Sequence, residues 1–109
     1  VTNAEKQLAA LADPSRRAIF ERLAKQPLAV GELADLFPIS RPAVSQHLRI
    51  LSKAQLVLFH RDGTQNIYRV NLEGITTLRN YLDAMWGRAL HDFKAVAESS
   101  YNSSRKEKS

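Results

Sequence analysis

Pro38 breaks the chain between two runs of helical pattern, and that break constrains the fold more than any other feature of the 109-residue sequence. Ahead of it, Gly31-Glu32-Leu33-Ala34-Asp35-Leu36-Phe37 sets Leu33, Leu36 and Phe37 at the spacing of one helix face, and the proline then lacks the N–H that a further turn needs. Behind it, Ser40 is an N-cap whose hydroxyl accepts from an orphan amide of the first turn, and Pro42 stands where a missing N–H costs nothing. The second helix is predicted from Arg41 to Lys53 or Ala54. At about 100° per residue, Val44, Leu48 and Leu51 fall together toward a core. Pro42, Gln46, Arg49 and Lys53 fall opposite, with Ser45 on the flank and Arg41 free to swing at the N-terminus.

Two helices joined by a short turn, the second with an outward polar face, form a helix–turn–helix, and this face suits duplex DNA. A helix about 10–12 Å across enters the major groove, where Arg pairs with guanine O6 and N7, Gln with adenine N6 and N7, and Ser with a base edge or a phosphate. Charge follows the same segment. The chain carries a net +5, yet residues 1–40 sum to zero, while residues 41–69 hold Arg41, Arg49, Lys53, Arg61 and Arg69 against Asp62 alone. That is the footprint expected for phosphate contacts and counterion release.

Downstream, Leu56-Val57-Leu58-Phe59-His60-Arg61 reads as a strand, Asp62-Gly63-Thr64-Gln65 as a turn in which Gly63 is free to take positive φ, and Asn66-Ile67-Tyr68-Arg69-Val70 as the returning strand. Arg61, Thr64 and Gln65 stand near the tip of this hairpin wing, in reach of a flanking phosphate or the minor groove. Upstream, a short helix over Ala4 to Ala12 puts Ala4, Leu8 and Leu11 on one face. Asp13-Pro14, an N-cap followed by an N1 proline, opens another helix to about Lys25, with Ala18, Ile19, Leu23 and Ala24 inward. Arg16, Arg17 and Arg22 are expected to pair within the protein more often than to meet DNA.

After the wing, Asn71 is expected to cap a long helix from Leu72 to about Glu98. Its stripe of Ile75, Leu78, Leu82, Met85, Ala89, Phe93 and Val96, widened by Tyr81, Trp86, Leu90 and Ala97, exceeds what one packing face of so small a domain needs. Leu8, Leu11, Leu78, Leu82, Met85, Trp86, Ala89 and Phe93 are therefore expected to meet a second copy of the chain across a two-fold axis. Residues 1–98 make one DNA-binding and dimerisation domain. Ser99 to Ser109, basic and without periodicity, reads as a disordered tail. The fold class is mainly α with a small β-hairpin, in the order α-α-α-α-β-β-α.

Asp13-Pro14-Ser15-Arg16-Arg17-Ala18-Ile19, Val30-Gly31-Glu32-Leu33-Ala34, Ser40 through Leu51 and the wing ending in Ile67-Tyr68-Arg69-Val70 together resemble the ArsR/SmtB family of bacterial winged-helix repressors, over about residues 4–98 and with the motifs in order. The resemblance implies a homodimer that binds a palindromic operator and represses transcription until an effector binds. Carried over by position, it implies base reading by Arg41, Ser45, Gln46 and Arg49, with wing support from Arg61 and Gln65. Ser40, Pro42, His47, Lys53 and Thr64 complete the candidate DNA-binding set, His47 by edge packing or a phosphate contact. One departure stands out. Metal-sensing members carry a C-x-C pair where this chain has Ala29 and Gly31, or an Asp-x-His pair with a second His on the last helix, where this chain has Asp83, His91, Asp92 and Glu98. The resemblance therefore implies a member without the usual metal site, and neither a cofactor nor the identity of a small-molecule effector is legible.

With no cysteine there is no disulfide, thiolate metal site or cysteine nucleophile. No apolar run approaches a membrane span and no signal-peptide pattern opens the chain, so a soluble, cytoplasmic protein is expected; Val1 in place of Met suggests a trimmed sequence. The sequence holds no recognisable catalytic grouping or phosphate-binding glycine loop, so no enzyme is expected. The competing function is a winged helix used as a protein-interaction module. Against it, Arg41, Gln46 and Arg49 suit base edges, whereas a protein-binding face more often shows aromatics.

Overall fold

The structure, a computed structural model, describes residues 2–107, with side chains through Asn102. Five helices and three strands follow in the order α1 (Asn3–Ala12), α2 (Pro14–Leu23), β1 (Leu28–Ala29), α3 (Val30–Leu36), α4 (Arg41–Lys53), β2 (Val57–Asp62), β3 (Gln65–Val70) and α5 (Leu72–Glu107). The chain divides into two units at Leu78: all of the elements before α5 together with its first two turns, and the remainder of α5.

The caps explain the helix starts. Thr2 and Glu5 form a reciprocal capping box on α1, with Glu5 N–H donating to Thr2 Oγ1 (3.2 Å) and Thr2 N–H to Glu5 Oε2 (3.3 Å). Asp13 caps α2 by accepting from Arg16 N–H (3.0 Å), and Ser40 caps α4 by accepting from Ala43 N–H (3.3 Å). Arg16 and Arg17 turn back to the carbonyls of Ala10 (2.8 Å) and Leu11 (3.0 Å), where cations satisfy the electronegative end of α1.

Ile19, Leu23, Leu28, Leu33, Val44, Leu48, Leu51, Leu56 and Val57 form the core of the first unit. Four sequence expectations are corrected around it. α1 buries Ala4, Gln7 and Ala10 rather than Ala4, Leu8 and Leu11; Leu8 is 36% exposed. Gln7 sits fully buried with its amide N–H donating to Gly74 O (2.8 Å), while its Oε1 has no partner among the described residues. α3 turns only Leu33 fully inward, leaving Leu36 exposed and Phe37 half-buried, and α2 ends at Leu23 with Ala24 exposed. The hairpin is the larger part of a three-stranded antiparallel sheet, ordered β1-β3-β2, in which Leu28 pairs with Tyr68 and Ala29 with Ile67.

Within the wing, Phe59 pairs with Tyr68, their rings 5.2 Å apart, and Gly63 turns the chain at φ 64°. A glycine at the first central position of a two-residue loop matches the twist of the strands it joins. α5 passes Glu98 and continues to Glu107, so residues 99–107 are helical rather than the tail expected; Lys108 and Ser109 lie outside the described residues. No Gly or Pro interrupts that stretch, and Tyr101 extends the Phe93, Ala97 row at i+4 spacing.

Candidate nucleic-acid interface

The outward arc of α4 is built as its periodicity predicts. Val44, Leu48 and Leu51 are sealed in the core, which fixes the rotation of the helix about its own axis. Pro42, Gln46, Arg49 and Lys53 are all exposed on the opposite side, spread over about 16 Å of helix at 1.5 Å per residue, and Ser45 is half-buried on the flank. Among the described residues, no carboxylate lies within 4 Å of Arg41, Arg49, Lys53 or Arg61. Unpaired cations on one face hold their field for an external anion.

The wing joins this face. Burial pushes the Tyr68 phenol above its ordinary pKa, and the Arg49 charge pulls the other way, so strand β3 and the reading helix share one electrostatic neighbourhood. Arg61 is exposed and its Nε donates to Gly63 O (3.2 Å), holding the guanidinium at the turn; Thr64 and Gln65 are exposed at the tip. Arg69 lies beside His60, 3.3 Å from its Nδ1.

His47 takes the edge position expected of it, whereas Arg41 sits differently from the expectation. His47 is about 100° round α4 from Gln46, half-buried, its Nδ1 enclosed without a partner among the described residues. Nearby, the Asp13 carboxyl is held below its usual range first by the Arg16 N–H bond and then by the Arg16 guanidinium. His47 thus lies at the edge of the core stripe rather than on the exposed arc. Arg41, expected to swing freely, folds back so that its guanidinium covers the Cα of Gly31; a Cβ on residue 31 would overlap it. Ala29, Gly31, Arg41, Ser45, Thr64 and Gln65 border a polar cleft of about 340 Å³ between α3, α4 and the wing tip. Sequence reasoning missed Gly31 and Tyr68, whose roles arise only from contacts between elements.

The same corner bears on metal binding. Ala29 and Gly31 offer no side-chain donor, and the open side of Gly31 is filled by a cation, so these residues do not fit a thiolate metal site. On α5, His91 stands without a cluster of three His, Asp or Glu side chains among the described residues.

Comparison with known proteins bears directly on this face. A helix-turn-helix domain model matches residues 11–58, which span α2 through the start of the wing. HTH-type transcriptional regulator Rv2034 of Mycobacterium tuberculosis is 52% identical over 90 residues, covering 83% of this chain and 84% of its own. The chain belongs to the ArsR/SmtB family of winged helix-turn-helix transcriptional regulators. Transcriptional repressor SdpR of Bacillus subtilis is 39% identical over 62 residues, covering 57% of this chain and 69% of its own. Among solved structures, the homodimeric winged helix-turn-helix DNA-binding domain of a possible ArsR-family regulator from Mycobacterium bovis superposes with a TM-score of 0.64 at 26% identity, over 78% of this chain and 79% of that one. As an ArsR/SmtB regulator, the chain carries its helix–turn–helix in α3 and α4 and its wing in β2 and β3. Among the described residues, no helix is long and apolar enough to cross a membrane.

Proposed function

We propose that this ArsR/SmtB regulator acts in the cytoplasm as a homodimeric repressor, each subunit laying α4 in the major groove of one half of a palindromic operator. The observation that carries the reading is the exposed, acid-free arc of Gln46, Arg49 and Lys53 on a helix whose rotation is locked by three buried apolar residues. In this reading Gln46 and Arg49 read base edges, with Ser45 beside them, and Lys53, Arg61, Thr64 and Gln65 contact the backbone or minor groove. Ser40 and Pro42 act by starting the helix at the right place.

The second copy packs on the apolar stripe of α5. Met85, Trp86, Leu90, Phe93 and Val96 are exposed, an arrangement that water disfavours and that a two-fold partner would cover. Leu82 and Ala89 lie within that stripe, and Leu8 and Leu11 are candidates on α1. Leu78 has little surface left to offer, being only 8% exposed within its own protomer. The protein is a binding protein rather than an enzyme, and its DNA affinity does not depend on a metal at positions 29 and 31, where donor atoms are lacking.

The test is binding of the full chain to a duplex taken from upstream of its own gene, by fluorescence anisotropy across 50–200 mM salt. A steep fall in affinity with salt, together with a footprint of two half-sites about 34–36 Å apart, is the expected result. Binding that is absent, or insensitive to salt, would contradict the reading.

A further inference from the structure

The pose of Arg41 separates it from Gln46 and Arg49. Its side chain folds back from the start of α4 to bring the end of the guanidinium against Gly31, where it lines the polar cleft between α3, α4 and the wing tip. Ser45, further along the same helix, and Thr64, Gln65 and Asn66 of the wing bring side-chain hydrogen-bond groups to the same cleft. The one acidic side chain of the α3 first turn, Glu32, is turned to the Ala29 N–H (2.9 Å), and no carboxylate lies within 4 Å of Arg41 among the described residues. At about 340 Å³ the cleft is at the small end of ligand sites, which run from about 300 to 1,000 Å³. A guanidinium beside a bare glycine, ringed by neutral hydrogen-bonding groups and free of competing carboxylates, matches a phosphate oxyanion better than a base edge.

We propose that this cleft seats a backbone phosphate of the bound DNA, with Arg41 as the clamp and Gly31 as the residue that sets its position. The proposal rests on the DNA-binding reading above and sharpens it: Arg41 then anchors register without reading sequence. Gly31 is required because any side chain there displaces the guanidinium. The obstacle is the movable end of an exposed side chain and not backbone, so Gly31→Ala shifts the clamp while leaving the fold intact.

The experiment measures affinity of the wild type, Gly31→Ala, Arg41→Ala and Arg41→Lys for two duplexes, one from upstream of the gene and one scrambled, between 50 and 200 mM salt. Gly31→Ala is expected to melt at the wild-type temperature. Gly31→Ala and Arg41→Ala are each expected to lose on the order of tenfold on both duplexes alike, with the log–log salt slope shallower by about 0.9 per subunit. Arg41→Lys keeps the slope but not the full affinity, since an ammonium keeps the charge without the bidentate fork. A loss confined to the upstream duplex would make Arg41 a base reader and overturn the proposal. So would wild-type binding by Gly31→Ala, because the pose over Gly31 would then play no part. Titration with inorganic phosphate at constant ionic strength is expected to give no saturable heat; saturable binding would mark a free-anion site instead. If the wild type binds neither duplex, the DNA reading itself fails, an outcome distinct from either of these.

Discussion

Asp13 is the single residue between α1 and α2: its extended backbone ends the first helix and its carboxylate caps the second. Its pKa is held below the ordinary 3.8 chiefly by the Arg16 N–H bond. A lowered folded-state pKa means the stabilisation is fully present above the unfolded value and is lost as pH falls through the folded one. Asp13→Ala should therefore lower the melting temperature at pH 7, and the gap to the wild type should narrow below about pH 4; thermal melts from pH 7 to pH 2.5 check this, and a gap that stays constant would contradict it. At this scale the sequence was legible wherever a residue acts through its neighbours in the chain. Asp13, Ser40 and Pro42 declare themselves by position. Gln7 does not: a glutamine in an alanine-rich helix reads as solvated, and only the Gly74 carbonyl, 67 residues away, makes its burial tolerable. Arg41 was legible as a cation but not in its pose, which Gly31 decides.

Among the elements, the end of α4 and the start of α5 form one interlocked corner. Gln55 follows the helix in the left-handed region at φ 62°, a conformation that costs a residue with a Cβ roughly 1–2 kcal/mol. Its carbonyl accepts from Asn71 Nδ2 (3.0 Å) and packs against the bare Cα of Gly74, where a Cβ would collide with backbone. Asn71, expected as a cap, spends its side-chain amide on this bond. Because backbone cannot yield as a flexible side chain can, Gly74→Ala should destabilise by about 1–3 kcal/mol in urea unfolding. A loss below half a kcal/mol would show that the corner is looser than described. The register of the α4 helix was readable because three buried apolar residues recur at helical spacing. β1 was not, since two residues have no period and become a strand only by pairing with β3. The reach of α5 was underestimated for the opposite reason: a polar stretch without breakers gives no signal of where a helix stops.

Taken as a whole, the molecule keeps a sealed core under its reading helix while Phe93, 72% exposed, and its neighbours on α5 remain open to water. Sedimentation velocity at micromolar concentration should give a dimer for the wild type and a monomer for Phe93→Glu, with helical content unchanged because the side chain makes no core contact at that exposure. A wild-type monomer would remove the two-fold arrangement. The central claim is that α4 reads base pairs, and the measurement that tests it most directly is the affinity of wild type and Gln46→Ala for the upstream duplex with each base pair changed in turn. Discrimination should collapse by about 1–3 kcal/mol at one symmetric pair of positions and persist elsewhere. An equal small loss at every position would contradict it.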